Sequence, residues 1–76
     1  MLEQITTGSG QKATVLDERP MGVGERLLLC VIPAVVKPFV VWTELGEGAR
    51  FDGGYHEMLI DALQDIEARE MRGYGR

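Results

Sequence analysis

Two stretches in the middle of the chain fail to alternate, and this limits the fold more than any other feature. Leu27 to Ile32 reads "LLLCVI" and Phe39 to Trp42 reads "FVVW", both unbroken apolar runs. They are rich in strand-favouring residues, and prolines 33 and 38 mark the edges of the connection between them. A strand with one wet face alternates apolar with polar residues. A continuous run implies that both faces of the sheet are covered. The wider stretch 27–42 is not a membrane span, because Pro33, Lys37 and Pro38 interrupt it and a span needs about 20 apolar residues.

What covers the two faces follows from the rest of the chain. The residues after Asp52 form one amphipathic helix, expected over about 55–72. Tyr55, Met58, Leu59, Ala62, Leu63 and Ile66 fall on a single stripe with helical spacing. Gly54 is placed as its N-cap, Glu57 as the acid of its first turn, and Gly73 as the residue that ends it. One helix covers one face. The other face needs the N-terminal hairpin folded over it, or a second copy of the protein. Self-association has a further motive. A chain of 76 residues buries only about 60% of its unfolded surface, and such chains usually gain stability from disulfides, a metal or a partner. Cys30 is the single cysteine, which excludes an internal disulfide. One Cys and one His supply half of a tetrahedral zinc set. A homodimer is therefore expected.

The first half is punctuated by glycine and predicts short strands at 2–7, 12–17, 26–32, 39–45 and 49–52, with "GSGQ" turning the first hairpin. The segment "DERPMGVGE", 17–25, reads as an exposed loop, and 73–76 as a frayed tail. No repeat or linker divides the chain. The expected fold is a single α+β domain, a small antiparallel sheet of four to five strands with the C-terminal helix packed on one face.

The candidate site is acidic. Glu57, Asp61 and Asp65 stand at i, i+4 and i+8, so they share one line of the helix. Like charges at that spacing repel by about 0.2–0.5 kcal/mol per pair in an isolated helix. Glu44, Glu47 and Asp52 precede them, and seven acids face Arg50 alone between 44 and 67. That imbalance exceeds the net charge of −4 for the whole chain. The six residues Glu44, Glu47, Asp52, Glu57, Asp61 and Asp65 are the expected patch for a basic partner. The same acids also have a plain structural use: they complement the helix dipole, with Arg69 and Arg72 at the other end, and Asp65 can pair with Arg69.

Other chemistry finds little support. His56 has Leu59 and Ile60 at the spacings where a second metal ligand would stand, and its nearest acid, Asp52, lies beyond two glycines. "TTGSGQKAT" departs from a phosphate loop at Gln11 and Ala13. Cys30 sits in the apolar run and reads as a packed thiol. Ser9 is the only serine, at a turn tip, which gives a serine triad no support. Trp42 and Phe39 lack the basic groove of a single-strand binder, and the net charge argues against phosphate backbones. No cofactor, metal or direct nucleic-acid binding is expected. The N-terminus has no basic region followed by an apolar run, so a cytoplasmic chain without a signal peptide is expected.

Three function classes follow, in this order. The first is a non-enzymatic protein-interaction module, such as a small regulator or inhibitor of the phage or mobile-element type, presenting its acidic helical face to a basic partner. The second is a homo-oligomeric structural or accessory protein that associates through its apolar sheet. An enzyme comes last, for want of a convergent set of polar groups.

Overall fold

The computed structural model describes residues 2–33, 35–46 and 49–74, with backbone alone at 51, 73 and 74. It is an α+β domain, as expected. Five strands, β1 (Gln4–Thr6), β2 (Lys12–Gly22), β3 (Glu25–Val31), β4 (Phe39–Leu45) and β5 (Ala49–His56), precede one helix, α1 (Leu59–Tyr74). The strands form an antiparallel meander in the order β1-β2-β3-β4-β5. No helix among the described residues is long and apolar enough to cross a membrane.

The apolar runs sort by parity into two cores. Even-numbered residues of β3 and β4 point to the concave side of a curled sheet, where Leu28, Cys30, Ile32, Val40 and Trp42 pack with Ala13 and Val15 of β2 and with Ile5 of β1. Odd-numbered Leu27, Leu29 and Val41 point to the other side, where Ala62 and Ile66 of α1 close over them. The sheet curls because irregularities interrupt its ladders. One lies between Val15 and Asp17, a second between Pro20 and Gly22, and a third opposite Trp42 on β5. Such bulges increase local twist and bend a strand. Both faces are thus covered within one chain, and Leu27 to Cys30 are almost fully buried there. The apolar runs alone therefore supply no reason to invoke a second copy.

Three boundaries differ from expectation. The segment 17–25 is no loop: β2 runs on to Gly22 and turns into β3 through Val23 and Gly24, whose left-handed φ of 74° suits glycine. Pro20 fits within this strand because it sits beside a bulge. The second difference is at the start of the helix. β5 extends through Gly53, Gly54 and Tyr55 to His56, and α1 begins only at Leu59. Gly54 is therefore a strand residue and no cap, while Tyr55 and Met58 leave the buried stripe and stand half exposed. Two adjacent glycines disfavour a helix here, and Gly53 is needed in the strand. A Cβ on it would lie 2.9 Å from Trp42 Nε1 and 3.1 Å from the Tyr55 ring. Third, α1 continues to Tyr74, so Gly73 lies inside it.

The sheet does not close into a barrel. No Cα of β1 comes within 8 Å of a Cα of β5. Arg50 of β5 spans this opening instead, its Nη2 donating to the Thr6 carbonyl at 3.0 Å.

Candidate functional site

The strand parity that builds the two cores also decides where the six acids go. Glu44 is even-numbered on β4, so it faces the concave side and is buried. Its carboxylate accepts from Arg26 Nε at 2.6 Å and from Arg50 Nη1 at 3.0 Å. Arg26 also pairs with Glu18 and, through both terminal nitrogens, with Glu3 at 3.1 and 3.2 Å. The hydrogen bonds that Arg26 donates to Glu3 and Glu44 hold its guanidinium above its usual pKa. The hydrogen bond from Arg26 in turn lowers the Glu3 carboxyl, against a smaller opposing effect of burial. This network lines a cleft of about 630 Å³ at one end of the curl. Glu44 is thus engaged internally and is not offered to a partner.

Asp65 is engaged too. It lies on the sheet-facing side of α1, where its Oδ2 accepts from His56 Nε2 at 2.8 Å and its Oδ1 from Arg69 Nε at 2.9 Å. A carboxylate only accepts, so Nε2 carries the proton in this bond. Burial pushes the Asp65 carboxyl up, but the hydrogen bonds from His56 and Arg69 outweigh it and leave the pKa lowered. Arg69 reaches further, to Thr43 Oγ1 at 3.5 Å and toward Asp52 at 3.8 Å. Gly54 makes room for the cluster: a Cβ there would collide with Asp65 Oδ2 and lie 3.0 Å from Arg69 Nη2.

The sequence placed His56 near Asp52, at the start of a helix. The structure puts it at the end of β5 and pairs it with Asp65. A histidine oriented by a carboxylate is one half of a general-base arrangement. Among the described residues no hydroxyl or thiol hydrogen-bonds the imidazole, and Thr43 is turned to Arg69. The cluster acts as a clasp between β5 and α1. Cys30 is buried on the concave side, and that burial pushes its thiol up to about 12. Trp42 and Phe39 stack on opposite faces of the sheet, so they form no common platform. Trp42 instead meets Tyr55 edge-on at 6.4 Å, with the Arg50 guanidinium 5.9 Å from its ring. No three His, Cys, Asp or Glu among the described residues are grouped so as to hold a metal ion.

The outward-facing acids are Asp52, Glu57 and Asp61, all exposed; Glu47 lies outside the described residues. Asp52 projects from the bulge of β5 with φ at 58°. Glu57 and Asp61 flank an apolar group that the helical stripe had assigned in part to the core: Met58 is 59% exposed, Leu59 41% and Ile60 55%. Ile60 carried no signal of its own, since it lies off the stripe. The shift of the helix start from 55 to 59 is what turns Met58 outward. The sequence also missed the partners of Arg26, which come from β2, from β4 and from Glu3 just before β1. Comparison with protein-family models, with curated proteins and with solved structures finds no match to this chain.

Proposed function

We propose that the chain is a non-enzymatic protein-interaction module whose docking surface is the junction of β5 and α1. The observation that carries this is the exposure of Met58, Leu59 and Ile60 between Glu57 and Asp61, which have no ion-pair partner among the described residues. Scattered exposed apolar residues are ordinary, but three consecutive ones rimmed by charge are the pattern of an interaction site. The rim selects the partner. It favours an apolar patch bordered by Lys or Arg, by steering encounter and by penalising acidic competitors. A small domain with such a surface suits a regulator or inhibitor that occupies a basic site on another protein. A two-fold dimer through the same surface is disfavoured, because its axis would bring the acidic rims of two copies together.

The test uses two double variants that leave Asp65 in place, since it holds the clasp. Glu57→Gln/Asp61→Asn removes the rim charge and Met58→Ser/Ile60→Ser removes the apolar centre. Both should melt like the wild type. Partner captured from native lysate should be lost with the apolar variant, and it should bind the charge variant more weakly and release at lower salt. Unchanged capture by both variants would overturn the proposal.

A further inference from the structure

The opening between β1 and β5, the two unpaired edges of the sheet, is wider than one strand spacing. Hydrogen-bonded strands lie about 4.8 Å apart, so two strands with one vacant position between them stand about 9.6 Å apart. β1 and β5 are more than 8 Å apart at every Cα pair, and the Arg50 side chain crosses between them. The floor of the opening mixes apolar Ile32, Trp42 and Tyr55 with polar Thr6, Thr7, Gln11 and Arg50. Ile32 and Trp42 are buried beneath it and Tyr55 stands at its side, and clefts of about 430 and 390 Å³ flank that ring. Around Tyr55 its one cation without an acidic partner among the described residues is Lys37, since Arg50 is paired with Glu44. Among the described residues lining the two clefts, Arg50 and Lys37 are the charged ones and no acid is present, although the chain carries −4 overall. Lys37 has no ion-pair partner among the described residues.

We propose that this slot binds an extended peptide segment of a partner protein, with alternate apolar side chains directed at Trp42 and Ile32 and an acidic residue directed at Lys37. The backbone of such a segment pairs with the outer edges of β1 and β5, displacing the Arg50 guanidinium from the Thr6 carbonyl, and its alternate side chains fill the floor, which is the division of labour in strand addition. The slot is separate from the surface at the start of α1, and neither depends on the other.

The probe is a terminally blocked heptapeptide of alternating valine and glutamate, titrated to about 1 mM, the range of weak single-strand contacts. Binding should change Trp42 emission and shift amide resonances of 4–7 and 49–56 while leaving those of 64–72 in place. A peptide with proline at its central position should not bind, because proline cannot complete the ladder. Lys37→Glu, on an exposed loop, should weaken binding about fivefold. The Glu57→Gln/Asp61→Asn variant should bind the peptide as the wild type does, which keeps this result independent of the docking surface proposed above. The proposal is overturned by no response at about 1 mM, by shifts confined to α1, by equal binding of the proline peptide, or by an unchanged affinity in Lys37→Glu. Shifts at the same strands that grow with protein concentration alone would assign the slot to a second copy and overturn the peptide.

Discussion

Gly54→Ala tests the clasp most directly, because one methyl group is placed where the carboxylate of Asp65 now lies. The backbone itself does not resist alanine, since Gly54 is not among the residues with positive φ. Alanine should even stabilise by about 0.4–1 kcal/mol through the unfolded chain. The cost comes from the side chains. Arg69 shares the helix with Asp65 and can follow it when it is displaced, but His56 belongs to β5 and cannot. The perturbation therefore breaks the bond between His56 and Asp65 first. A hydrogen bond to a charged group contributes about 1.5–3 kcal/mol. Asp65 is 18% exposed and His56 24%, so water replaces part of that loss and about 2 kcal/mol is the working figure. Less the gain from alanine, the net destabilisation is about 1–1.5 kcal/mol. For a domain of this size it should lower Tm by about 4–10 °C.

The assay is thermal unfolding followed by Trp42 fluorescence and far-ultraviolet circular dichroism, run as a double-mutant cycle with Asp65→Ala. If the collision is the cause, Gly54→Ala should cost little or nothing in the Asp65→Ala background, because the carboxylate it displaces is gone. The two substitutions would then show a coupling of about 1 kcal/mol or more. A neutral Gly54→Ala, or an equal loss in both backgrounds, would refute the clasp.

Two further outcomes are expected. Asp65 and Glu3 have depressed pKa values in the fold, so the stability they contribute is present above the ordinary carboxylate range, near about 4, and is lost as pH falls through their folded values. Acid titration of the wild type should show this loss, and Asp65→Asn should make the acid limb shallower; an identical limb would contradict the assignment. Cys30, with its thiol raised to about 12 by burial, should resist a thiol-specific reagent at neutral pH in the native state and react at a rate that follows unfolding. Immediate labelling of the folded protein would contradict its placement in the core.

The two unbroken apolar runs made a sheet covered on both faces legible in the sequence, since Leu27 to Ile32 cannot alternate in any register. They did not say what covers the second face. That depends on bulges near Leu16, Met21 and Asp52, which curl the sheet over itself and have no simple residue signature. A helical stripe through Ala62 and Ile66 was equally legible, and both are fully buried. Its first members were misplaced because periodicity cannot locate the end of a strand. Tyr55 fits a period of 3.6 with Met58 and Leu59, yet it also alternates with Gly53 in a strand, and packing against Trp42 decides for the strand. The acids show the same limit from the other side. Spacing put Glu57, Asp61 and Asp65 on one line, and charge alone cannot distinguish a solvated carboxylate from a paired one. The distinction is made by β5, which ends with His56 beside α1 and draws Asp65 toward the sheet, while Glu57 and Asp61 stay in water. Glu44 is separated from them by strand parity, because it shares its face with Val40 and Trp42 and so meets Arg26 and Arg50. Among the described residues, a row of acids in one dimension thus becomes a buried acceptor, a clasp and an exposed rim.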